Sequence, residues 1–322
     1  MQNVLSCLTA LPRIGLQRSL SVEQSGSIVL SKAIDEDSPL EICLTNWGLY
    51  MMNNAEEKVS TFYNTVGWET EGEITEDAKR FEDLREYAKE YVRKCRLRVL
   101  RHIPDSGENM LDMASGPIQY KEYLEYSKRF EKRYCVDLSS MALDAAKKKI
   151  GEHGVFLCGS FCNIDLEEDF FDCTISLHTI YHIDKEKQEE VVRKLITVTK
   201  PGKPIIIVYS NPKACIGYLA LPLRLFRFRS IKRLLTKAEN GNKKEADLYF
   251  FAHPIKWWDR FRDVADIQIL PWRSFSSGHQ KALIPNSEFG RIVFNILFSL
   301  EERFPRFFVK HFQYPMIILK KR

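Results

Sequence analysis

Apolar and polar positions follow two different spacings along residues 108–212. Five short apolar stretches have the composition of strands, and the fourth is apolar at nearly every position of its centre, as a strand covered on both faces is. Segments between them repeat apolar residues at a helical spacing. The five stretches are, in order, ENMLDMA, KRYCVDLS, GVFLCGSF, DFFDCTISLHTIYHI and PGKPIIIVYSNP. This alternation of strand and helix predicts an α/β fold, with a parallel sheet and helices on both of its faces.

Further elements flank this region on both sides. Residues 76–103 repeat apolar positions near the helical period, with acids early and basic residues late, which predicts one long helix. After residue 212 the pattern changes to an apolar and basic stretch, 216–236. Residues 253–264 and 290–312 predict helices, the second of them broken at Pro305. ADIQILPW and YPMIILKK predict two more strands.

Composition narrows the class of protein without naming a function. The chain has 322 residues, of which 44% are hydrophobic, enough for a sizeable core. No apolar run approaches the roughly 20 residues of a membrane-spanning helix. A net charge of +5 is too small to indicate a nucleic-acid partner, and none is expected. The eight scattered cysteines indicate reduced thiols, not a disulfide framework.

The first residues differ in composition from the rest of the chain. Residues 1–22 contain Arg13, Arg18 and several serines but no acid, which is typical of an organellar transit peptide. An unstructured leader over residues 1–50 is the alternative interpretation. We therefore expect a cytoplasmic protein, or a mitochondrial or other organellar one if residues 1–22 act as a transit peptide.

Two aspartates at predicted strand ends indicate a ligand site. Asp112 precedes the small-residue turn of Ala114, Ser115 and Gly116, and Asp137 ends the next strand. In an open parallel sheet, ligands bind at the carboxyl ends of the strands. A turn of small residues allows a ligand to lie against the backbone, and a carboxylate can accept hydrogen bonds from two ribose hydroxyls.

The charge beside this turn favours one class of nucleotide ligand. Dinucleotide enzymes hold a pyrophosphate with G-x-G-x-x-G, and that motif is absent here. A carboxylate at Asp112 would repel phosphate and attract an ammonium group. S-adenosylmethionine (SAM) carries an amino-acid end and no phosphate, so it is the predicted cofactor. A non-catalytic nucleotide-binding subunit and an NAD-dependent oxidoreductase remain the alternatives.

MLDMASGP, CVDLS, FDCTISLHTIYHI and LITVTKPGKPIIIVYSNP, in this order, resemble class I SAM-dependent methyltransferases of the small-molecule type. The resemblance covers residues 106–212 most strongly. It implies a Rossmann-like methyltransferase fold, with a doubly wound sheet of seven strands whose last strand is antiparallel. It further implies a helical segment over residues 51–105 that covers the cofactor, a SAM-binding core over 106–212, and helical lid insertions with closing strands over 213–322.

The resemblance also implies roles for individual residues. Asp112 and the turn Ala114–Gly116 would hold the methionine end of SAM, Asp137 the ribose, and Leu138 the adenine. Ser160 and Phe161 would lie near the adenine amine, where the family often has an acid in place of Ser160. Tyr63, in an N-terminal aromatic segment with Trp68, would fold over the cofactor, since electron-rich rings attract a sulfonium. His178 would line the methionine and substrate side.

Methyl transfer to a hydroxyl, thiol or protonated amine can require a base. His178 and His182, with Tyr181 between them, are the candidate catalytic residues. Structural histidines are the alternative interpretation. Two histidines four apart can also ligate zinc, but Thr179 replaces the glutamate of H-E-x-x-H, and no metal site is predicted.

The acceptor is the part of the function that the sequence leaves open. The aromatic residues of segments 213–250 and 273–312 indicate an apolar cover over the substrate, and so a small, partly apolar acceptor methylated on O, N or S. Three interpretations of the stretch 216–236 stay open. Its Arg224, Arg227 and Arg229 could meet an acidic group of the substrate, the stretch could be a helix on a membrane surface, or it could be a solvated helix packed on the sheet. No oligomeric state is predicted.

Overall fold

The computed structural model describes residues 54–68, 70–71, 74–214 and 248–322. All of these residues belong to one of the two units into which the chain divides, Met51–Arg322. The leader predicted over residues 1–50 and the apolar, basic stretch 216–236 lie outside the described residues. Within the described ranges, no helix is long and apolar enough to cross a membrane.

A seven-stranded sheet forms the centre of the molecule. Its strands follow the order β3-β2-β1-β4-β5-β7-β6. Strands β1 to β5 are parallel, and β7 runs antiparallel to both of its neighbours. The predicted doubly wound, mostly parallel sheet is therefore confirmed, including its antiparallel last strand. The strands are β1 Gly107–Met113, β2 Phe130–Asp137, β3 Gly154–Cys158, β4 Cys173–Leu177, β5 Pro204–Val208, β6 Ala265–Arg273 and β7 Tyr314–Lys321.

Helices cover both faces of this sheet and precede it in the chain. They are α1 Asn54–Phe62, α2 Glu76–Phe81, α3 Glu86–Leu97, α4 Lys121–Glu125, α5 Ser140–Ile150, α6 Gln188–Val198, α7 Ser277–Leu283, α8 Glu288–Arg303 and α9 Pro305–His311. Helix α5 begins and ends as its sequence predicts, because Ser139 caps its first turn and Gly151 follows its last residue. Residues 253–264, predicted as an α-helix, instead form a 3₁₀-helix, Ile255–Phe261.

The alternation of side chains along β5 divides the core into two layers. Ile205 and Ile207 pack in one layer with Trp258 and helix α6, whereas Ile206 and Val208 pack on the opposite face with helices α3 and α8. All five residues of β5 are buried, as expected of a strand covered on both sides. The sheet is therefore held rigidly, and its carboxyl edge is left to form a site.

The prediction of a single helix over residues 76–103 is wrong. The chain forms helix α2, leaves helical geometry at Glu82, and resumes as α3 followed by a 3₁₀ turn, Val99–His102. No proline or glycine marks the break. Glu82 adopts an extended backbone, and its carboxylate pairs with Arg273 at 2.7 Å and with Arg96 at 3.7 Å. The break between α2 and α3 therefore coincides with ion pairs between Glu82 and residues distant in sequence, which the local spacing of apolar residues does not show.

Candidate functional site

A cavity of about 330 Å³ lies at the carboxyl edge of the sheet. It brings together the ends of β1 to β6, the start of β7, and residues of α1 and α2 that come from the N-terminal side of the chain. All of the predicted site residues line it, namely Tyr63, Asp112, Ala114, Ser115, Gly116, Asp137, Leu138, Ser160, Phe161, His178, Tyr181 and His182. Residues spread over more than 100 positions of sequence thus share one space.

The turn after β1 bends sharply and leans on β2. Ala114 and Gly116 have φ angles of 59° and 55°, in the left-handed region that favours glycine. The amides of Ala114 and Ser115 donate to the carbonyl of Val136, at 2.8 and 3.2 Å. This arrangement leaves the outer side of the turn as part of the cavity wall, which is the geometry a ligand needs to approach the backbone.

Asp137 is oriented by backbone amides on both of its oxygens. Oδ2 accepts a hydrogen bond from the amide of Gly116 at 2.8 Å, and Oδ1 accepts one from the amide of Ser139 at 2.9 Å. Burial raises the pKa of Asp137 to about 6, although these hydrogen bonds act in the opposite direction. At neutral pH the group is a carboxylate with a fixed orientation, able to accept further hydrogen bonds from hydroxyls.

Asp112 is not the free carboxylate that the sequence suggests. It lies within β1, is 3% exposed, and pairs through Oδ2 with the guanidinium of Arg133 on β2, whose Nε lies 3.1 Å away. Arg133 also donates to the carbonyl of Tyr123 at 2.6 Å. Burial raises the pKa of Asp112, and Arg133 opposes that rise. Because a buried cation already balances it, Asp112 attracts an ammonium group less strongly than an unpaired carboxylate would.

An acid does lie beside Ser160, but it comes from another part of the chain. Ser160 Oγ donates a 2.8 Å hydrogen bond to Oε1 of Glu56, a residue of α1 that is 8% exposed. The resembled family often has an acid at the position of Ser160. Here α1 supplies the carboxylate at that end of the cavity and is tied to the sheet by the same bond.

Two aromatic rings of the N-terminal segment lie over the turn. Tyr63 and Trp68 are stacked, with ring centroids 4.8 Å apart and an angle of 21° between the planes. Trp68 lies so close to Gly116 that a Cβ on that glycine would be 3.0 Å from the indole. Tyr63 therefore lies in the wall of the cavity, stacked on the ring that packs next to Gly116.

The two histidines after β4 are neutral at physiological pH. Burial lowers the pKa of His178 well below its usual value and that of His182 to about 4. His178 Nδ1 lies 3.0 Å from the hydroxyl of Tyr181, while His182 Nδ1 donates to the carbonyl of Tyr249 at 2.7 Å. A lowered pKa makes a histidine a weaker base than usual, so burial acts against the predicted role of His178 or His182 as a base. His178 also has a φ of 61°, a strained conformation for a residue with a side chain.

A family model described as "Methyltransferase domain" matches residues 111–207, the stretch from β1 to β5. The match covers 97 of the 322 residues and extends from strand β1 to strand β5 of the sheet. This part of the chain is similar to a methyltransferase domain. A search of curated proteins by sequence found no match.

Solved structures with a similar fold are distant from this chain in sequence. The DhpI–SAH complex is 10% identical with a TM-score of 0.50, covering 84% of this chain and 98% of that one. Geranyl diphosphate C-methyltransferase of Streptomyces coelicolor is 12% identical with a TM-score of 0.49, covering 84% and 99%. Phosphoethanolamine N-methyltransferase 2 of Haemonchus contortus is 14% identical with a TM-score of 0.42, covering 71% of this chain. The chain spans 52% of the length of that enzyme.

Charged side chains that no sequence motif marks also line the cavity. Asp77 of α2 lines it, and burial together with the nearby Glu82 raises the pKa of Asp77 to about 7. Arg273, at the end of β6, lies over the rings of Trp272 and Tyr314 and pairs with Glu82. An acid in the first turn of a helix is common for electrostatic reasons, so the sequence carried no signal that distinguished Asp77.

The lid expected over residues 273–312 is not where the sequence placed it. Of these residues, only Arg273 lines the cavity. Helix α8 packs against α3 instead, with the rings of Tyr91 and Phe294 stacked 5.0 Å apart and Arg98 bonded to Glu301 at 2.8 Å. Some of the aromatic residues that predicted a cover over the substrate, such as Phe294 and Phe308, instead pack in the core on one face of the sheet. Within the described ranges, no group of three or more His, Cys, Asp or Glu residues could hold a metal ion.

Proposed function

We propose that this protein transfers the methyl group of SAM to an O, N or S atom of a small, partly apolar molecule. The observation that carries the proposal is the shared cavity, which joins the Asp137 and Gly116 end to an aromatic region containing Asp77. Its volume of about 330 Å³ lies at the lower end of the range for small-molecule sites. Aromatic side chains such as Tyr63, Phe161 and Phe250 form part of its wall, which favours an acceptor with apolar parts.

Each end of SAM would meet groups of matching chemistry. Asp137 would accept hydrogen bonds from the ribose hydroxyls, and Leu138 would contact the adenine. The Glu56 carboxylate, beside Ser160, would accept a hydrogen bond from the adenine amine. The turn Ala114–Gly116 and Asp112 would hold the methionine end, with Tyr63 against the sulfonium.

The reaction would need alignment more than covalent help from the protein. A lone pair of the acceptor forms a bond to the methyl carbon while the electrons of the S–C bond return to sulfur, which leaves S-adenosylhomocysteine (SAH). Holding the two reactants in line within one cavity can lower the barrier of such a step by about 7–11 kcal/mol. If the acceptor carries a proton, Asp77 is the group on the cavity wall with a pKa suited to take it near neutral pH.

Calorimetric titration with SAM, SAH and NAD tests the cofactor. We expect micromolar binding of SAM and SAH, no binding of NAD, and loss of SAM binding in Asp137→Ala. Asp263→Ala, which removes an exposed carboxylate outside the cavity, serves as the matched control and should bind SAM like the wild type. Binding of NAD in place of SAM would refute the proposal.

A screen of candidate acceptors with methyl-labelled SAM tests the transfer. Label should move to a small molecule only in the presence of protein with an intact Asp137. Label found instead on nucleic acid or on protein substrates, and on no small molecule, would refute the acceptor class while leaving SAM binding intact.

A further inference from the structure

Helix α8 exposes an apolar stripe on the side of the helix that does not face the core. Phe289, Ile292, Ile296 and Leu300 are 65%, 53%, 55% and 41% exposed. Their spacing places them on one side of the helix. The positions that pack inward are different ones, namely Gly290, Phe294, Leu297 and Glu301. Core packing therefore does not explain this second set of apolar residues.

The stripe continues past the end of α8 into α9. Phe304 and Phe307 are 53% and 55% exposed, whereas Phe308 and Val309 of the same short helix are buried. Of the twelve large apolar side chains that the described residues expose, these two and the four of α8 make up half. Scattered exposed apolar residues are ordinary on soluble proteins, but a continuous concentration of this kind marks an interaction surface.

The charges next to the stripe are cationic. Arg303 follows Ile296 by seven residues and so lies on the same side of α8. Arg306 and Lys310 flank Phe307 on the exposed side of α9. None of these three has an ion pair within the described part of the chain, whereas the nearby acids are already paired, Glu288 with Arg291 and Glu302 with Arg98 and Arg101.

We propose that the exposed face of α8 and α9 binds the surface of an anionic lipid membrane. The apolar side chains would enter the boundary between headgroups and acyl chains, and Arg303, Arg306 and Lys310 would meet the anionic headgroups. The chain's net charge of +5 adds to that attraction. Aromatic and aliphatic side chains next to unpaired basic residues are the pattern of helices that lie in a membrane interface.

A second copy of the chain fits this face less well. Six side chains, each about half exposed, offer roughly 600 Å² in total. Because about 57% of the area of a protein–protein interface is apolar, this area would suffice for either occupant, and the charges have to distinguish the two. In a dimer through this face, the acids next to the stripe would not balance these cations, because Glu288 and Glu302 are already paired within their own chain. Anionic headgroups instead provide the opposite charge.

Vesicle flotation of the full chain tests the proposal. We expect binding to vesicles of phosphatidylcholine with 30% phosphatidylserine, and at least tenfold weaker binding to pure phosphatidylcholine. Ile292→Ser/Ile296→Ser should weaken binding to the anionic vesicles at least tenfold. Arg306→Gln/Lys310→Gln should weaken it severalfold and reduce the difference between the two vesicle types. Met141→Ser/Val264→Ser, which removes two exposed apolar side chains elsewhere, should bind like the wild type.

SAM titration and thermal unfolding of the same variants show whether they are folded, and light scattering gives their oligomeric state. Wild-type protein that fails to float with anionic vesicles would overturn the proposal. So would binding that the α8 and α9 substitutions leave unchanged, since another segment would then carry it. A dimer that Ile292→Ser/Ile296→Ser dissociates, without vesicle binding, would assign the face to a second copy. Vesicle binding does not depend on methyl transfer, so either property can fail without the other.

Discussion

The backbone amide of Gly116 donates a 2.8 Å hydrogen bond to Oδ2 of Asp137, so the turn after β1 and the end of β2 are fixed to each other. The bond joins the two features that the sequence marks at neighbouring strand ends. It also means that the carboxylate proposed to hold the ribose is oriented before any ligand arrives. A hydrogen-bond acceptor that is already oriented loses little conformational entropy when a ligand binds.

SAM affinity should depend on pH through Asp137. The pKa of this group is raised to about 6, and the ionised form accepts hydrogen bonds from ribose hydroxyls. Lowering the pH from 7 to 5 should protonate most of it and weaken SAM binding about tenfold. Calorimetry at a series of pH values gives the midpoint. Asp137→Asn should bind weakly at every pH in this range, and a wild-type affinity that is flat down to pH 5 would contradict the assignment.

The same pKa shift has the opposite consequence for the unliganded protein. Because the folded state holds the Asp137 proton more tightly than the unfolded chain does, this group makes folding less favourable as the pH rises from about 4 to about 6. Urea unfolding without ligand gives the free energy of unfolding at each pH. The decrease between about pH 4 and pH 6 should occur in the wild type and not in Asp137→Asn. Equal pH dependence in both proteins would mean that Asp137 is not the group responsible.

Replacing Gly116 by alanine should disturb the cofactor end of the site. The φ of 55° costs a side chain about 1–2 kcal/mol, and the new Cβ would lie 3.0 Å from Trp68. We expect lower stability together with SAM affinity reduced at least severalfold. Gly202→Ala is the matched control, because Gly202 also has a positive φ, of 71°, but has nothing within 4 Å of an added Cβ. It should lose stability only. Equal SAM affinity in the two variants would show that Trp68 does not form part of the site.

The strand ends were predictable, because each apolar run stops at a polar residue and parallel strands share one edge. The residues that approach this edge from elsewhere were not. Glu56 meets Ser160 across 104 positions, and Glu82 meets Arg273 across 191. Neither pair has a local signature, since acids in and near helices are common. Arg133 is opposite Met110 in the register of β1 and β2, and its long side chain reaches along β1 to the carboxylate of Asp112.

If Asp77 accepts the proton of the methyl acceptor, the rate of transfer should rise with pH through a midpoint near 7. Asp77→Asn should lower kcat about 10²–10⁴-fold and abolish this dependence, with SAM affinity nearly unchanged. The assay uses labelled SAM and an acceptor found in the screen. Glu76→Gln, the neighbouring acid on α2, is the control and should retain the wild-type profile. Wild-type kinetics in Asp77→Asn would exclude this role and favour an acceptor that needs no base.

The buried pair of Asp112 and Arg133 should contribute to folding as a unit. Replacing Arg133 by methionine leaves the Asp112 carboxylate buried without its partner, and this should cost about 3–5 kcal/mol of stability. Asp112→Asn/Arg133→Met removes both charges and should cost less than the single change, because no uncompensated charge remains. Urea unfolding measures both values. A double variant less stable than Arg133→Met would show that the ion pair is not the main interaction of these residues.

SAM affinity in the double variant then separates the two roles of Asp112. A large loss in a folded protein would indicate contact with the methionine end, whereas an unchanged affinity would limit Asp112 to holding β1 and β2 together.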